Sequence, residues 1–530
     1  MAISRRSPPL AVTLRAVAIG LTALLAGPGA PHIALANSAL APQAPPTTIP
    51  QSELDQDRDG QTGIYQPAGP TTTATNAFFA PLGANGRTCF SCHQPASAMS
   101  VGTAALLQLY INGGDADPVF AAVDGANCPN TPHDHALLLN QGVFRIALSP
   151  PPGAEFSVGV ISDPTTCNTT TAYDTNASTG APILSVFRRP RPASNLPFAV
   201  ISAADGPNPT LAAVDPMTGI PLARDTIVNN GAPDALPGQT YENGNLMADG
   251  REATLTSQAI DAVLIHMQSS TPPTTAQLQQ MLEFEAGIFD AQAVRSAAGS
   301  LDAGGATGGP RSLSTQQAGL TATPAFPTFN EFSAWPASGG RQLQAQVQAS
   351  IARGMKIFET RPFTIDDVAG FSNAPTGPNQ TRGTVRGTCS TCHNELHGGN
   401  SSQPDAQFAT GIGGVAAGKG GGPPPQANLP IFKLTCSSAH PPVFASGPGS
   451  RANPPYVLTN DPGKALISGK CADIGRFTVP SLRGLSARAP YFSDGSAPDL
   501  AHVVGFYDRR FKIGLSLSEY DDLLNFLKSL

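Results

Sequence analysis

The pentapeptide Cys89-Phe90-Ser91-Cys92-His93 decides how this sequence is interpreted, and it recurs as Cys389-Ser390-Thr391-Cys392-His393. In a C-x-x-C-H motif the two thiols can form thioether bonds to a haem, and the histidine that follows can bind the iron. A zinc site would need four convergent ligands, and a redox C-x-x-C pair does not require the histidine. The motifs therefore predict two covalently bound haems c, with His93 and His393 as iron ligands. The attachment residues are Cys89, Cys92, Cys389 and Cys392.

The N-terminus has the features of a secretory signal peptide. A basic start with Arg5 and Arg6 precedes an apolar run from Ala16 to Ala26, and Ala34-Leu35-Ala36 offers a cleavage site. We therefore expect residues 1–36 to be removed on export and the mature protein to be periplasmic. No later stretch approaches the ~18 apolar residues of a spanning helix, so no membrane span is predicted.

Four further cysteines lie outside the motifs, two in each half of the chain. In an oxidising compartment such cysteines form disulfides, and four cysteines allow three connectivities. We favour pairing within each half, Cys128 with Cys167 and Cys436 with Cys471, because each bridge then stabilises a loop-rich stretch.

The composition indicates a loop-rich chain without a surface for nucleic acid. Glycine and proline number 54 and 52 among 530 residues, and charged residues make up only 13%. The formal net charge of −6 provides no basic stripe. From Asn112 to about Gly244 the pattern is irregular, which predicts a large loop-rich insertion in the first half.

Helical periodicity surrounds this insertion. One helix is predicted at Leu255 to Met267, and a second at Ala276 to about Val294. The second carries Glu285 on an otherwise apolar stripe, which implies a buried partner or a nearby cofactor edge. Leu343 to Phe358 is a third amphipathic helix, and Ser516-Leu517-Ser518-Glu519 is a capping box that starts a C-terminal helix.

These patterns predict a mainly α fold with two cytochrome c-type haem domains and a large irregular insertion in the first. The basis for this fold class is that the strongly periodic segments are all helical. We expect a signal peptide over 1–36, a flexible segment over 37–75, an N-terminal haem domain over 76–310 and a C-terminal haem domain over 311–530.

The second half contains three motifs that resemble a known family. They are Gly469 to Phe477, then Pro480-Ser481-Leu482-Arg483, then Ala489-Pro490-Tyr491-Phe492-Ser493-Asp494-Gly495-Ser496. They resemble the bacterial dihaem cytochrome c peroxidase family, including its MauG-like branch, which carries P-x-L-R and A-P-Y-F-H-D-G-S. In the first half, Arg188 to Asn195 and Asp249 to Ala259 are similar to the family's R-N-x-P and W-D-G-R … Q-A segments. The resemblance covers most of the chain apart from the insertion.

The resemblance implies a dihaem peroxidase. Hydrogen peroxide would be reduced at the N-terminal haem, with electrons relayed from a small periplasmic cytochrome c or copper protein through the C-terminal haem. Two other interpretations stay open. One is a MauG-like oxidase that modifies a protein or an organic substrate, and the other is a non-enzymatic dihaem electron carrier. Family members are often dimers, so a homodimer is compatible with the resemblance.

The resemblance also suggests the second ligand of the C-terminal haem iron. Tyr507 stands where the peroxidase branch has a methionine ligand, and the MauG-like branch has a tyrosine there. Tyr507 is therefore the candidate iron ligand, with a packed aromatic side chain as the alternative. A phenolate ligand would favour Fe(III) over Fe(II) and so shift this haem towards oxidising chemistry.

The distal side of the first haem departs from the family. Gln268 stands where the family has its acid/base glutamate, and His266 is the candidate replacement for proton transfer. Arg251, from the D-G-R motif, completes the predicted catalytic set. For His266, a core histidine with satisfied hydrogen bonds is the alternative. Ala248 replaces the family's tryptophan between the haems, and the only tryptophan of the sequence, Trp335, lies elsewhere.

Calcium is predicted only weakly. Arg189 replaces the asparagine that binds the family's calcium ion, although the carbonyls of Arg488 and Pro490 remain available. The stretch Asp55-Gln56-Asp57-Arg58-Asp59-Gly60 begins like a calcium loop, but Gln66 occupies the twelfth position, where a bidentate glutamate is needed. A solvated turn is the simpler interpretation.

Overall fold

The structure is a computed structural model, and it describes residues 45–168, 182–200, 242–316, 326–366, 368–370, 385–403, 406–414, 425–437, 439 and 456–530. The predicted signal peptide, residues 1–36, lies outside these ranges. The described residues all belong to one unit, Leu40–Leu530. The boundary expected near residue 310 between two haem domains stays a prediction.

The helices are concentrated around the two C-x-x-C-H motifs and at the C-terminus. Helices α1 to α9 span, in chain order, Thr103–Gly113, Ala136–Gln141, Leu255–Asp261, Thr275–Gly287, Pro310–Leu313, Leu343–Thr360, Ala465–Ser468, Leu500–Phe511 and Leu517–Leu527. A π-helical turn, Ala262–His266, continues α3. The predicted capping box of α9 is confirmed, because the Glu519 amide donates to Ser516 Oγ and the Ser516 amide donates to the Glu519 carboxylate. No helix in the described ranges is both long enough and apolar enough to cross a membrane.

The strands are short and spread along the described ranges. Strands β1 to β17 span, in chain order, Thr48–Ile49, Ser52–Gln56, Gly60–Tyr65, Thr71–Thr72, Phe144–Leu148, Phe156–Ser162, Leu184–Arg188, Glu242–Leu246, Glu252–Thr254, Phe289–Arg295, Gly299–Ser300, Phe363–Ile365, Val385–Gly387, Gln407–Phe408, Ile431–Cys436, Tyr456–Thr459 and Phe477–Thr478. The larger sheets have the strand orders β11-β10-β3-β2 and β16-β15-β6.

These strands correct the predicted fold class, because the described chain is mixed α and β rather than mainly α. Strand β10 occupies the end of the segment that periodicity assigns to a helix ending near Val294. It pairs antiparallel with β3, which in turn pairs with β2, so part of the segment over 37–75 belongs to a sheet, and its expected flexibility stays a prediction. Asp290 and Gln292 on β10 are buried, and such polar residues obscure the apolar alternation by which a strand is detected.

Helices α6 and α9 form the core behind the second motif. The predicted apolar stripe of α6 is confirmed, with Ile351 and Phe358 buried in the same cluster as α9 residues. Gly354 allows the close approach of the two helices, because a Cβ atom there would lie 1.9 Å from the Asp522 carbonyl oxygen. The ring of Phe358 lies 6.2 Å from that of His393, so this helix pair supports the iron ligand predicted for the second motif.

The insertion is cross-linked by a disulfide of its own, and it also pairs with a strand from the second half of the chain. Its disulfide joins Cys128 to Cys167, and the second disulfide joins Cys436 to Cys471, as predicted. Strand β6 of the insertion pairs antiparallel with β15, which follows it by more than 260 residues. The two halves of the chain therefore share one sheet.

Candidate haem-binding sites

The first motif folds into a single 3₁₀ turn on the wall of a cavity. Thr88 caps this turn, because its hydroxyl oxygen accepts from the Ser91 amide at 3.2 Å and its own amide donates to the Ser91 hydroxyl at 3.0 Å. Cys89, Cys92 and His93 all line the cavity, and both cysteines are free thiols. Burial raises the pKa of the Cys92 thiol to about 12, so the thiol is protonated at neutral pH. Two free thiols beside a histidine are the groups that haem attachment requires.

The imidazole of His93 is oriented by a backbone carbonyl. Its Nδ1 lies 2.9 Å from the carbonyl oxygen of Met99. Because a carbonyl oxygen only accepts, Nδ1 carries the proton, and Nε2 keeps the lone pair that a metal ion needs. Burial lowers the pKa of His93, which favours this neutral form.

The second motif repeats this geometry. The amide of Thr388 donates to the Thr391 hydroxyl at 2.8 Å, and Nδ1 of His393 lies 2.5 Å from the carbonyl oxygen of Gly399. Burial lowers the pKa of His393 to about 4. In each motif the accepting carbonyl follows the histidine by six residues, a local regularity that the motif itself does not reveal. Both sites therefore fit a covalently bound haem with a neutral axial histidine.

The two cavities differ in size and in chemistry. The first encloses about 1240 Å³, counting space open to solvent, and arginine side chains contribute much of its wall. The second encloses about 1030 Å³ on the same measure, and its wall is largely aromatic and aliphatic. The first cavity is the one with groups that can move protons.

Of the predicted catalytic residues, His266 and Arg251 line the cavity of His93. His266 ends the π-helical turn, and its Nδ1 lies 2.5 Å from Oδ2 of Asp124. The side chain of His266 is 29% exposed, whereas that of Asp124 is buried and also pairs with Arg87. Although burial opposes it, the charges of Arg87 and His266 lower the pKa of Asp124. Asp124 therefore stays ionised and fixes the orientation of the imidazole.

Arg251 and Gln268 are placed differently. Arg251 is buried, with its Nη1 3.2 Å from Oδ1 of Asp249 and its Nη2 3.9 Å from Oδ2 of Asp261. Gln268 lines an adjoining cavity, which it shares with His266 and Arg251, rather than the cavity of His93. Its Oε1 accepts from Asn85 Nδ2 at 3.3 Å, and its φ of +56° marks a left-handed turn. The structure therefore brings His266 and Arg251, but not Gln268, to the first cavity.

Glu285 also faces the first cavity. It is only 6% exposed, and among the described residues its Oε2 has no hydrogen-bond partner. Burial raises its pKa to about 8. The sequence pattern places this glutamate on an otherwise apolar stripe, which implies a buried partner or a nearby cofactor edge. The structure places it on the wall of the cavity of His93.

Tyr507 lines the second cavity together with His393, and it packs against the same buried cluster as the two cysteines of the motif. Its ring lies parallel to that of Phe511, with the centroids 6.1 Å apart. Burial raises the pKa of the phenol to about 12, against a hydrogen bond with Thr410 that lowers it. This placement fits an iron ligand, and it also satisfies the alternative of a packed aromatic side chain.

Calcium binding stays a prediction. Among the described residues, no group of three or more His, Cys, Asp or Glu side chains could hold a metal ion. The guanidinium of Arg189 already donates to the Arg488 carbonyl oxygen at 2.8 Å. In the calcium-like loop, one Asp57 carboxylate oxygen accepts from the Asp59 and Gly60 amides, at 2.7 and 2.8 Å. This is the hydrogen bonding of a turn.

Several residues of the sites were not found from the sequence. Asp124 lies in the irregular insertion, far from His266 along the chain, so no spacing rule connects them. Met99 and Gly399 act through backbone carbonyls, which are independent of residue type. Only the tertiary structure identifies such partners.

Comparisons with known proteins agree with the resemblance. No family model matches the chain. A curated cytochrome c peroxidase, IdrP1 of Pseudomonas sp. (strain SCT), is 34% identical over 90 residues, which are 17% of this chain and 22% of the relative. The chain thus matches about a fifth of the length of that protein. A crystal structure of a MauG-like protein associated with microbial copper homeostasis aligns over 86% of each chain, with 13% identity and a TM-score of 0.32. The sequence match to a cytochrome c peroxidase supports the resemblance to the dihaem cytochrome c peroxidase family.

Proposed function

We propose that this chain, which resembles the dihaem cytochrome c peroxidases, is a periplasmic oxidoreductase with two haems c. Hydrogen peroxide is reduced in the cavity of His93, and the electrons reach it through the cavity of His393. A small periplasmic cytochrome c or copper protein supplies these electrons one at a time. The observation that carries the proposal is the matched geometry of the two motifs, each with two free thiols and a carbonyl-oriented histidine on a cavity wall.

The first cavity has the groups that peroxide reduction needs. A bound haem supplies the iron that exchanges electrons with peroxide. Two electrons and two protons convert one peroxide molecule into two molecules of water, so a proton-transfer group must lie nearby. Nδ1 of His266 is occupied by Asp124, which leaves Nε2 to accept a proton from one peroxide oxygen and return it to the leaving oxygen.

Arg251 and Glu285 serve the same cavity in different ways. Arg251 places a buried positive charge there, and this charge favours the anionic form of peroxide that proton removal creates. Burial raises the pKa of Glu285 to about 8, so its carboxyl group can hold a proton at neutral pH. His266 is therefore the acid/base residue of the proposal, and Glu285 is a second proton store.

The second cavity suits electron storage rather than proton transfer. Its wall is mostly apolar, and Tyr507 contributes a phenol. In the proposal Tyr507 loses its proton to become the second protein ligand beside His393, because a bound cation reverses the effect of burial on its pKa. This placement of Tyr507 favours a second candidate function, a MauG-like oxidase that withdraws electrons from a protein or an organic substrate.

The test uses the purified protein loaded with two haems. A high-spin ferric band, present before or after one-electron reduction and changed by peroxide, supports both enzyme functions. If that band is absent and peroxide leaves the spectrum unchanged, both fail and an electron carrier remains. Robust peroxide-dependent oxidation of reduced cytochrome c then distinguishes the peroxidase, whereas the MauG-like oxidase shows little of it.

A further inference from the structure

Thr478 joins the walls of the two cavities. It lines the second cavity, and its backbone amide donates to the carbonyl oxygen of Ala248 at 3.0 Å. Its hydroxyl donates to the carbonyl oxygen of Met247 at 2.9 Å. Met247 and Ala248 both line the first cavity. One residue of the second wall is therefore hydrogen-bonded to two consecutive residues of the first.

Arg191 makes the same connection from the other side. It lines the first cavity, and its Nη2 donates to the Thr478 hydroxyl oxygen at 2.9 Å and to the Thr478 carbonyl oxygen at 3.0 Å. No carboxylate among the described residues forms an ion pair with Arg191. Burial, together with the charges of Arg488 and Arg188, lowers the pKa of Arg191 to about 10, so it remains a cation at neutral pH.

No tryptophan ring fills the space beside these hydrogen bonds. Ala248 contributes only a methyl group at this point of the wall. Trp335 stacks on Phe332 with their centroids 5.0 Å apart, in the core formed by the C-terminal helices. It lines neither cavity. The hydrogen bonds of Thr478 therefore give a polar connection between the two walls.

We propose that electrons pass between the two cavities through the hydrogen bonds that join Thr478 to Arg191, Met247 and Ala248. The proposal deepens the proposed function and rests on it, because it needs a haem in each cavity. With a haem held in each cavity, each transfer would carry one electron from the reduced iron of the second cavity to the oxidised iron of the first. No covalent bond forms or breaks, and Arg191 and Thr478 keep their protons. A one-electron reductant then restores the ferrous iron of the second cavity.

The experiment measures electron redistribution between the haems of the holoprotein. A flash-generated one-electron reductant reduces the protein, and the absorbance changes of the two haems give the rate of transfer between them. The key variant is Thr478→Val, which removes the hydroxyl but keeps the backbone bond to Ala248. Thr478→Ser retains the hydroxyl and is the conservative variant. Thr71→Val is the matched control, since the Thr71 hydroxyl donates to Gln66 at 2.6 Å and lines neither cavity.

We expect Thr478→Val to slow the transfer severalfold, because the variant loses both hydrogen bonds of the hydroxyl, the one to Met247 and the one from Arg191. Arg191→Leu should slow it as well, whereas Thr478→Ser and Thr71→Val should keep the original rate. Haem content and both reduction potentials are measured for each variant. If a variant binds two haems and keeps both potentials but transfers electrons more slowly, the slower rate is due to the change in the proposed path.

Two results would overturn the proposal in different ways. Unchanged rates in both Thr478→Val and Arg191→Leu, with two haems bound, would exclude this path and leave the proposed function standing. A wild-type protein that binds fewer than two haems, or shows no transfer between them, would remove the proposed function and the path together.

Discussion

The guanidinium of Arg189 donates a hydrogen bond to the backbone carbonyl oxygen of Arg488, with 2.8 Å between Nη2 and the oxygen. Arg189 also donates to the carbonyl oxygens of Val101 and Gly142, at 3.0 and 3.2 Å. A single buried cation thus connects backbone segments from both halves of the chain. It has no carboxylate partner among the described residues, and burial, aided by Arg488, lowers its pKa to about 10.

Replacing Arg189 with alanine should destabilise the protein by about 3 kcal/mol, because three buried carbonyl oxygens lose a charged donor. Urea unfolding of the holoprotein measures this change. Arg386→Ala is the control, since Arg386 is exposed and should change stability by less than about 0.5 kcal/mol. A calcium chelator should leave the Tm of the wild-type protein unchanged. A clear fall in Tm on chelation would show that a cation, and not Arg189 alone, connects these segments.

Replacing Tyr507 with phenylalanine should change the absorption spectrum of the second haem. Phenylalanine keeps the packing against Phe511 but cannot bind iron, and it loses the hydrogen bond with Thr410. Optical and electron paramagnetic resonance spectra of the ferric protein provide the measurement. Tyr456→Phe is the control because Tyr456 is an exposed tyrosine, 39% accessible, outside both cavities. Identical spectra for the Tyr507→Phe variant and the wild type would establish the packed aromatic role.

Replacing His266 with asparagine should slow the reaction with peroxide by roughly 10²–10⁴-fold, the usual contribution of a general acid/base. Haem content should not change, because His266 is not an attachment residue. Stopped-flow mixing with peroxide gives the rate. His133→Asn is a matched control: His133 also contacts an aspartate, Asp115, but its side chain is 78% exposed. A His266 variant that reacts at the wild-type rate would assign proton transfer to another group.

Replacing Glu285 with glutamine should change how stability depends on pH. Burial raises the pKa of Glu285 from 4.5 to about 8, so between these values the folded state binds more protons than the unfolded state. Its stability therefore falls as the pH rises through this window, by about 1.4 kcal/mol for each unit of pKa difference. Glutamine has no such proton to lose, so the variant should become more stable than the wild type as the pH increases.

Urea unfolding at about pH 5 and about pH 9, on either side of this window, measures the effect. Glu283→Gln is the control, since Glu283 lies on the same helix and its contact with Gln279 is exposed. Parallel pH profiles for the wild type and the Glu285 variant would mean that folding does not raise the pKa of Glu285.

The sequence predicts the two motifs, the disulfide pairing and the stripe of α6 because each depends on local spacing or on a simple count. Through the resemblance to the family, it also identifies Tyr507 as a residue of the second site. Strand β10 escapes detection because its pairing with β3 is non-local and its buried face carries Asp290 and Gln292. Gln268 shows a different difficulty. The resemblance to the family assigns it to the distal site, but the residue adopts a left-handed turn and lines the adjoining cavity instead.

The pairing of β6 with β15 has a consequence for the newly made chain. At a synthesis rate of roughly 5–20 residues per second, β15 emerges roughly 10–60 s after β6. During this interval β6 presents unpaired strand edges, which promote aggregation. Ile146 on the wall of the first cavity packs against the cluster that contains Phe432 and Leu434 of β15. The wall around Cys89 and Cys92 is therefore completed only after β15 has paired with β6, so these two thiols remain accessible until both halves of the chain have come together.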